Sequence, residues 1–500
     1  MRALLLLLSL CLCSTAVTAE RADRRWAEQR AEQRSARVAF SAALARDQGE
    51  RGRAIQREIA TLIDQIGAAP IAGQVEDVAV LVAGLARLDG EAASALSQRL
   101  ADLPDAIPAD PAARKAWRQR FEPARTRLIK PLEQVGQRAL AAGMPEVAHL
   151  YLRHVLAFHP EHPDLHRNLG LVRTGTRWYG PRGQRRVKEG LVWDDALGWV
   201  IAKDAARYAA GEYFDLQARR WTTLAAADTA HAAAADPWRF ETEHLAITGT
   251  AKLRDLVAIA NRLEAFYARI FAAYSQFFAT GGQGVKLIFG LLDHEPLRVS
   301  IAADQAGYRA SLPPGTNAGW SAGMWVPSAK SSFFSAGSDV VMYHEFTHQI
   351  LDVFANGNAG APTWLVEGVA VYTETPVFVD SELVLGRIEA NPHIRQHLAA
   401  ARTGSELGLD PLFALDSRTW SAAVDPGPQY AAAGAVVQFC MEGEDRRYRA
   451  DFVDFLRDSY RGQTMDRKLW QYLGLERDAF VAAYRTWLGD AVRAKAPIAF

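Results

Sequence analysis

Five consecutive residues, His344-Glu345-Phe346-Thr347-His348, restrict this chain more than any other feature, and they lie among apolar residues at Val340, Val341, Phe346 and Ile350. The pattern predicts a helix that Ser338 can cap, with Asp339 in its first turn and a turn at Asn356-Gly357 beyond it. Residues four apart in a helix share a face, so both imidazoles leave the same side and can grip one ion. Glu345 stands beside the first histidine, where a carboxylate can work next to the ion without joining its ligands. A catalytic zinc site usually takes three protein ligands and leaves a fourth position open. Eighteen residues separate His348 from Glu367, which sits in Pro362-Thr363-Trp364-Leu365-Val366-Glu367-Gly368-Val369-Ala370. Pro362 suits the first turn of a second helix. An antiparallel helix reached through a turn between Asn356 and Gly360 would return Glu367 over the imidazoles, with Gly368 and Ala370 allowing close approach. With 12 histidines in 500 residues, a chance His-Glu-x-x-His is expected in on the order of one chain in a hundred. The added demand for an apolar helix face and a following Glu makes accident a poor explanation.

Together, His344 to His348 and Trp364 to Ala370 resemble the peptidase-MA-like branch of the gluzincin metallopeptidases, a resemblance that spans roughly residues 238–488. It implies Zn2+ held by His344, His348 and Glu367, with Glu345 as general base. The chemistry agrees: zinc lowers the pKa of water towards ~7, and Glu345 can take the proton and pass it to the leaving amine. Related peptidases often stabilise the oxyanion with a tyrosine well downstream of the Glu ligand, and Tyr430 lies 63 residues after Glu367. The competing reading is a tyrosine packed in a helical lobe. Tyr372 is nearer in sequence but points to another part of its helix. Asp352, one turn beyond His348, stands either to orient an imidazole or in solvent.

In this family an edge strand upstream of the zinc helix commonly aligns an extended peptide, and Gly323 to Val326 occupies that position. Related aminopeptidases carry a Glu there for the free amine, whereas Gly323-Met324-Trp325-Val326-Pro327 has Trp325 and no carboxylate. The expectation is an endopeptidase acting on a peptide or protein. The alternative is a non-catalytic binding or scaffold protein with a retained zinc. Against it, all four metal-site residues are intact, and a structural zinc would want a fourth protein ligand that no Cys or nearby His offers. His393 and His397, four residues apart, read as an exposed helix.

Elsewhere the chain says less about chemistry. Arg2, the apolar run Ala3 to Cys13, and small residues at Val17 and Ala19 form a secretory signal (1–19) cleaved after Ala19. The run is about half the ~20 residues that span a bilayer, so a periplasmic or secreted protein with no integral membrane segment is expected. A lipid anchor at Cys11 or Cys13 is disfavoured because Leu precedes each. Loss of both leaves Cys440, in Val436-Val437-Gln438-Phe439-Cys440, as a buried small hydrophobe. Lys and Arg number 57 and Asp and Glu also 57, so no charge excess points to nucleic acid.

The expected fold class is α+β. A helical region (20–128), with breaks at Gly67, Pro70, Pro104, Pro108 and Pro111, begins with a charged stretch that is a solvated helix or partly disordered. A unit resembling a tetratricopeptide repeat (129–180) follows, in which Val135-Gly136 recurs as Leu169-Gly170 after 34 residues. This region could dock a protein partner. Its His149, His154, His159, His162 and His166 read as a solvated face rather than a second metal site. A linker (181–236) leads to the gluzincin-type metallopeptidase core (237–380) with a small sheet. Strands are expected at 244–247, 285–289 and 323–326, with a helix from Leu253 to Tyr274. The helical C-terminal lobe (381–500) holds helices at 430–442, 447–460 and 477–492.

Overall fold

Ile55, Ile59, Leu62, Ile63 and Ile66 recur at the spacing of one helix face, and all five are buried along the end of α1 (Arg2–Ile66). The computed structural model describes residues 2–67, 70–278, 284–291, 294–316, 321–379 and 382–494. It is a mixed α and β chain with two compact units, Met1–Leu165 and His166–Phe500. No described helix is long and apolar enough to cross a membrane.

In the first unit, α1 passes through the expected cleavage point without a break and stops at Gly67, whose φ of 66° favours glycine. The Asp89 and Asp110 side chains cap α3 (Gly90–Ala101) and α4 (Pro111–Ala141), after α2 (Gln74–Ala86). Proline at 123 and 131 each removes a backbone donor inside α4. The helix continues because Trp117, Phe121, Leu128 and Leu132 bury its inner face. Next, α5 (Pro145–Phe158) packs back on α4, closest at Gly136, where a Cβ would sit 3.0 Å from the Leu152 side chain. The histidines expected on a solvated face lie inside: His149, His154, His162 and His166 are buried. The reason is aromatic and capping partnership. His162 Nδ1 accepts the Leu165 N–H at the start of α6 (Pro163–Leu169), and His166 stacks on Trp178 at 3.5 Å.

The second unit opens with three successive hairpin-and-helix modules rather than a linker. The first is β1 (Val172–Thr174), β2 (Arg177–Tyr179) and α7 (Pro181–Lys188). The second is β3 (Leu191–Asp194), β4 (Gly198–Ile201) and α8 (Ala205–Ala209). The third is β5 (Glu212–Asp215), β6 (Arg220–Thr223) and α9 (Leu224–Ala230). Gly170, Gly190 and Gly211, all with φ between 73° and 86°, precede the three modules. Trp178, Trp199 and Trp221 sit on their second strands, at intervals of 21 and 22 residues.

A five-stranded mixed sheet then supports the site. Its strands are β7 (Trp238–Glu241), β8 (Leu245–Gly249), β9 (Leu297–Ala302), β10 (Gly323–Val326) and β11 (Ser331–Ser335), in the order β10-β11-β9-β8-β7. The pairs β8/β9 and β9/β11 are parallel, and β10 is an antiparallel edge. Between β8 and β9 run α10 (Leu253–Ala273), α11 (Ser275–Phe278) and α12 (Gly284–Ile288). The strand expected at 285–289 is therefore helical; Leu287 and Ile288 are buried, and Gly290, with φ of 71°, ends the segment. The real strand, β9, lies further on, before α13 (Gln305–Ser311).

Two helices follow the sheet, α14 (Asp339–Ala355) and α15 (Thr363–Thr373), then the hairpin β12 (Val377–Val379) and β13 (Glu382–Val384). The C-terminal lobe comprises α16 (Pro392–Thr403), α17 (Leu409–Ala414), α18 (Ser417–Ser421), α19 (Gly427–Arg446), α20 (Arg449–Tyr460), α21 (Leu469–Tyr472) and α22 (Arg477–Arg493). Cys440 is fully buried in α19, and burial pushes its thiol far up, in keeping with an inert packing role.

Candidate metal centre

Buried Gln349 pins α14 to the sheet: its Nε2 donates to the Arg298 carbonyl of β9 at 2.9 Å, and its Oε1 accepts from Ser332 Oγ of β11 at 2.8 Å. Phe346 and Ile350 fill the core beneath. Ser338 occupies the N-cap position but makes no side-chain capping bond; Asp339 in the first turn instead pairs with Arg262 at 3.0 Å. At the other end Asn356 adopts the left-handed conformation, with φ of 64°, and closes the helix. The Asn358 side chain accepts the N–H groups of Gly360 and Ala361, turning the chain towards α15. Thr347 and Thr373 share a buried hydroxyl contact of 2.7 Å that sets α15 against α14.

These constraints bring three donors to one point. Glu367 Oε2 lies 3.2 Å from His344 Nε2 and 3.4 Å from His348 Nε2. The imidazoles are nearly perpendicular, with centroids 4.9 Å apart. Zinc bonds nitrogen and oxygen at about 2.0–2.1 Å in a tetrahedron, whose edge is then about 3.3 Å. Both spacings from Glu367 match that edge, and all three donors lie within 4.8 Å of one another, so the three residues fit a zinc ion with one position left over. They are also the one metal-competent group among the described residues. Burial pushes the Glu367 carboxyl up, yet the two imidazoles outweigh it and hold the group well below the usual carboxylate range. Burial likewise opposes a charged His344, but hydrogen bonds to Glu367 and Glu374 raise its pKa well above the ordinary value.

Glu345 stays outside the ligand set. Its Oε2 accepts the backbone N–H of Trp325 at 2.8 Å, so this N–H points away from β11, out of the free edge of the sheet. The Trp325 indole donates to Asp352 Oδ2 at 2.7 Å. Asp352 therefore anchors the edge strand, whereas His348 Nδ1 is buried without a hydrogen-bond partner. Tyr430, in the first turns of α19, has its ring 6.0 Å from His344. Burial and the charge of Glu367 push its hydroxyl pKa up, keeping it protonated. Tyr372 is turned elsewhere, with its hydroxyl on Glu442.

Two participants were not foreseen. Glu374, at the end of α15, is buried and binds His344 Nδ1 through Oε2 at 2.9 Å. It lies seven residues after Glu367, two helical turns, so the same face carries both; that spacing was a usable signal. His393 binds Glu374 Oε1 at 2.7 Å, and His397 is buried with its Nε2 on Tyr484 Oη at 2.9 Å. The exposed-helix reading of this pair is overturned, because α16 is clamped between α19 and α22. Gly368 also serves a partner other than the one expected: a Cβ there would stand 2.7 Å from the Ala433 carbonyl of α19, not against α14.

No protein-family model, curated protein or solved structure matches the chain.

Proposed function

We propose that the chain is a zinc-dependent metallopeptidase that cuts within peptide chains. The observation that carries this reading is the convergence of His344, His348 and Glu367 at tetrahedral spacing beside a carboxylate, Glu345, that stays out of the cluster. The resemblance to peptidase-MA-like gluzincins supports the same assignment, as does a mixed sheet with a helical lobe beyond it. Zinc, when bound there, supplies the Lewis acidity that makes water acidic near neutral pH and polarises a carbonyl.

The chain's own residues do the rest. Glu345 takes the proton of the attacking water and delivers it to the departing amine. In the free protein it is engaged by the Trp325 N–H. An extended peptide laid along β10 would take over that N–H as strand addition does, freeing the carboxylate as substrate arrives. Tyr430, protonated and half-buried beside His344, donates to the developing oxyanion. Glu374 fixes the His344 ring through Nδ1, so that Nε2 is turned towards Glu367, where the two would hold a zinc ion. Strand β10 carries no acid to hold a free α-amine, and by the resemblance Trp325 stands where related aminopeptidases carry a Glu. Internal bonds of a peptide or protein are thus the expected substrate. An N-terminal signal ending at Ala19 would place this activity outside the cytoplasm.

Zinc content and digestion of an unfolded protein, in wild type and Glu367→Ala, test the proposal. One zinc per wild-type chain, internal fragments and loss of both in the variant are expected. Stoichiometric zinc with no cleavage across a broad peptide library would overturn the assignment in favour of a scaffold. Stepwise release of single N-terminal residues would overturn the endopeptidase part.

A further inference from the structure

Glu374 uses both carboxylate oxygens on imidazoles, Oε2 on His344 at 2.9 Å and Oε1 on His393 at 2.7 Å. Such a bridge is rigid, because rotating the carboxylate to suit one ring breaks the contact with the other. Its three members differ in exposure: the side chain of Glu374 is 2% exposed and that of His344 12%, whereas that of His393 is 32% exposed. His393 lies outside the metal-competent group, and its Nδ1 is committed to Glu374.

The placement of His393 is referenced to the helix that carries the ligand. Asn391, buried at the start of α16, donates its Nδ2 to the Val371 carbonyl of α15 at 2.6 Å and accepts the Ile394 N–H through Oδ1 at 3.0 Å. One side chain thus caps α16 and ties it to α15, two residues from His393. Glu367, Glu374 and the anchor at Val371 all belong to one helix or its last turn. The far side of His393 packs near Tyr430, with ring centroids 5.9 Å apart, and Tyr430 is also 6.0 Å from His344.

We propose that His393 is a positioning residue: by holding Oε1 of Glu374 it locks the carboxylate in the rotamer that orients His344, and so strengthens zinc binding without touching the ion or the substrate. The inference rests on the zinc-site reading above. Loss of the His393 contact leaves a buried carboxylate oxygen unpaired and free to turn away from His344. Changing such an outer partner typically weakens metal affinity by about 10–100-fold. The requirement is for a donor at the position of Nδ1, not for an imidazole, and an asparagine amide can supply one.

The test compares the full-length chain with H393A, H393N and E374A. Zinc affinity is read by chelator competition, and the coordination sphere by the visible absorption of the Co2+-loaded protein. The proposal expects H393A to lose at least about 10-fold in zinc affinity and to alter the Co2+ spectrum, E374A to lose more, and H393N to recover most of the affinity. H393A matching wild type in both readouts while E374A is weakened would overturn it. A folded H393N that loses as much zinc affinity as E374A would also overturn it, by assigning the imidazole a packing role; this comparison stands even if H393A folds poorly. Failure of wild type to take up zinc is a different result, and it removes the metal-site reading itself.

Discussion

Tyr430 has its ring 6.0 Å from His344, and on the proposed reading its hydroxyl donates to the developing oxyanion, so removing that hydroxyl should affect the reaction and leave the ion alone. Tyr430→Phe is expected to keep its zinc while kcat falls by about 10²-fold or more; an effect confined to thermal stability would assign the residue to packing. His397 offers a prediction of another kind. Burial lowers its pKa to about 4, against ~6.5 in an unfolded chain. Between those values the unfolded chain binds a proton that the folded chain refuses, so this contribution to stability is lost as pH falls from about 6.5 to about 4, by up to ~3 kcal/mol. Urea midpoints at pH 7 and pH 4.5 should therefore differ less in His397→Gln than in wild type. At this scale the clustering of His344 with His348 was legible, because residues four apart share a face in any helix. Glu374 was legible in the same way, at seven residues from Glu367, but a lone carboxylate attracts no notice until its partner is seen. His393 was not: its role depends on Asn391 binding Val371, twenty residues back.

Helix against helix, the site depends on the crossing of α15 and α19, where backbones approach at Gly368 and Gly434. A Cβ on Gly434 would stand 2.3 Å from Val371 Cγ1, and one on Gly368 would meet the Ala433 carbonyl, a group with no rotamer to yield. Gly368→Ala should cost about 1–3 kcal/mol. It should also weaken zinc binding, because it pushes on the turn that holds Glu367; a variant with lower stability and unchanged zinc affinity would show that the ligand is positioned independently of this crossing. Helices with strong apolar periodicity, such as α10 and α22, were readable from spacing alone. The segment at 285–289 was misread because a short apolar run fits a strand or a buried helix equally until its neighbours are known. The three hairpin modules escaped notice because little beyond a left-handed glycine and a tryptophan recurs, while the turns between strands differ in length.

Taken whole, the candidate site lies in the second compact unit, residues 166–500, on a sheet edge and two helices. Net charge of zero leaves no global field to hold a cation there. The candidate site has local carboxylates instead, Glu345, Glu367 and Glu374, around two histidines. Zinc that binds only the folded chain must stabilise it, by about 2.7 kcal/mol at a free concentration a hundredfold above Kd. Chelation should accordingly lower Tm, and re-added zinc should restore it; a Tm indifferent to chelator would deny the coupling. The most direct test of the central claim is turnover of an unfolded protein by Glu345→Gln at the same zinc loading as wild type. A loss of at least about 10²-fold with zinc stoichiometry intact is the predicted result, and undiminished cleavage would contradict Glu345 as the base and with it the mechanism.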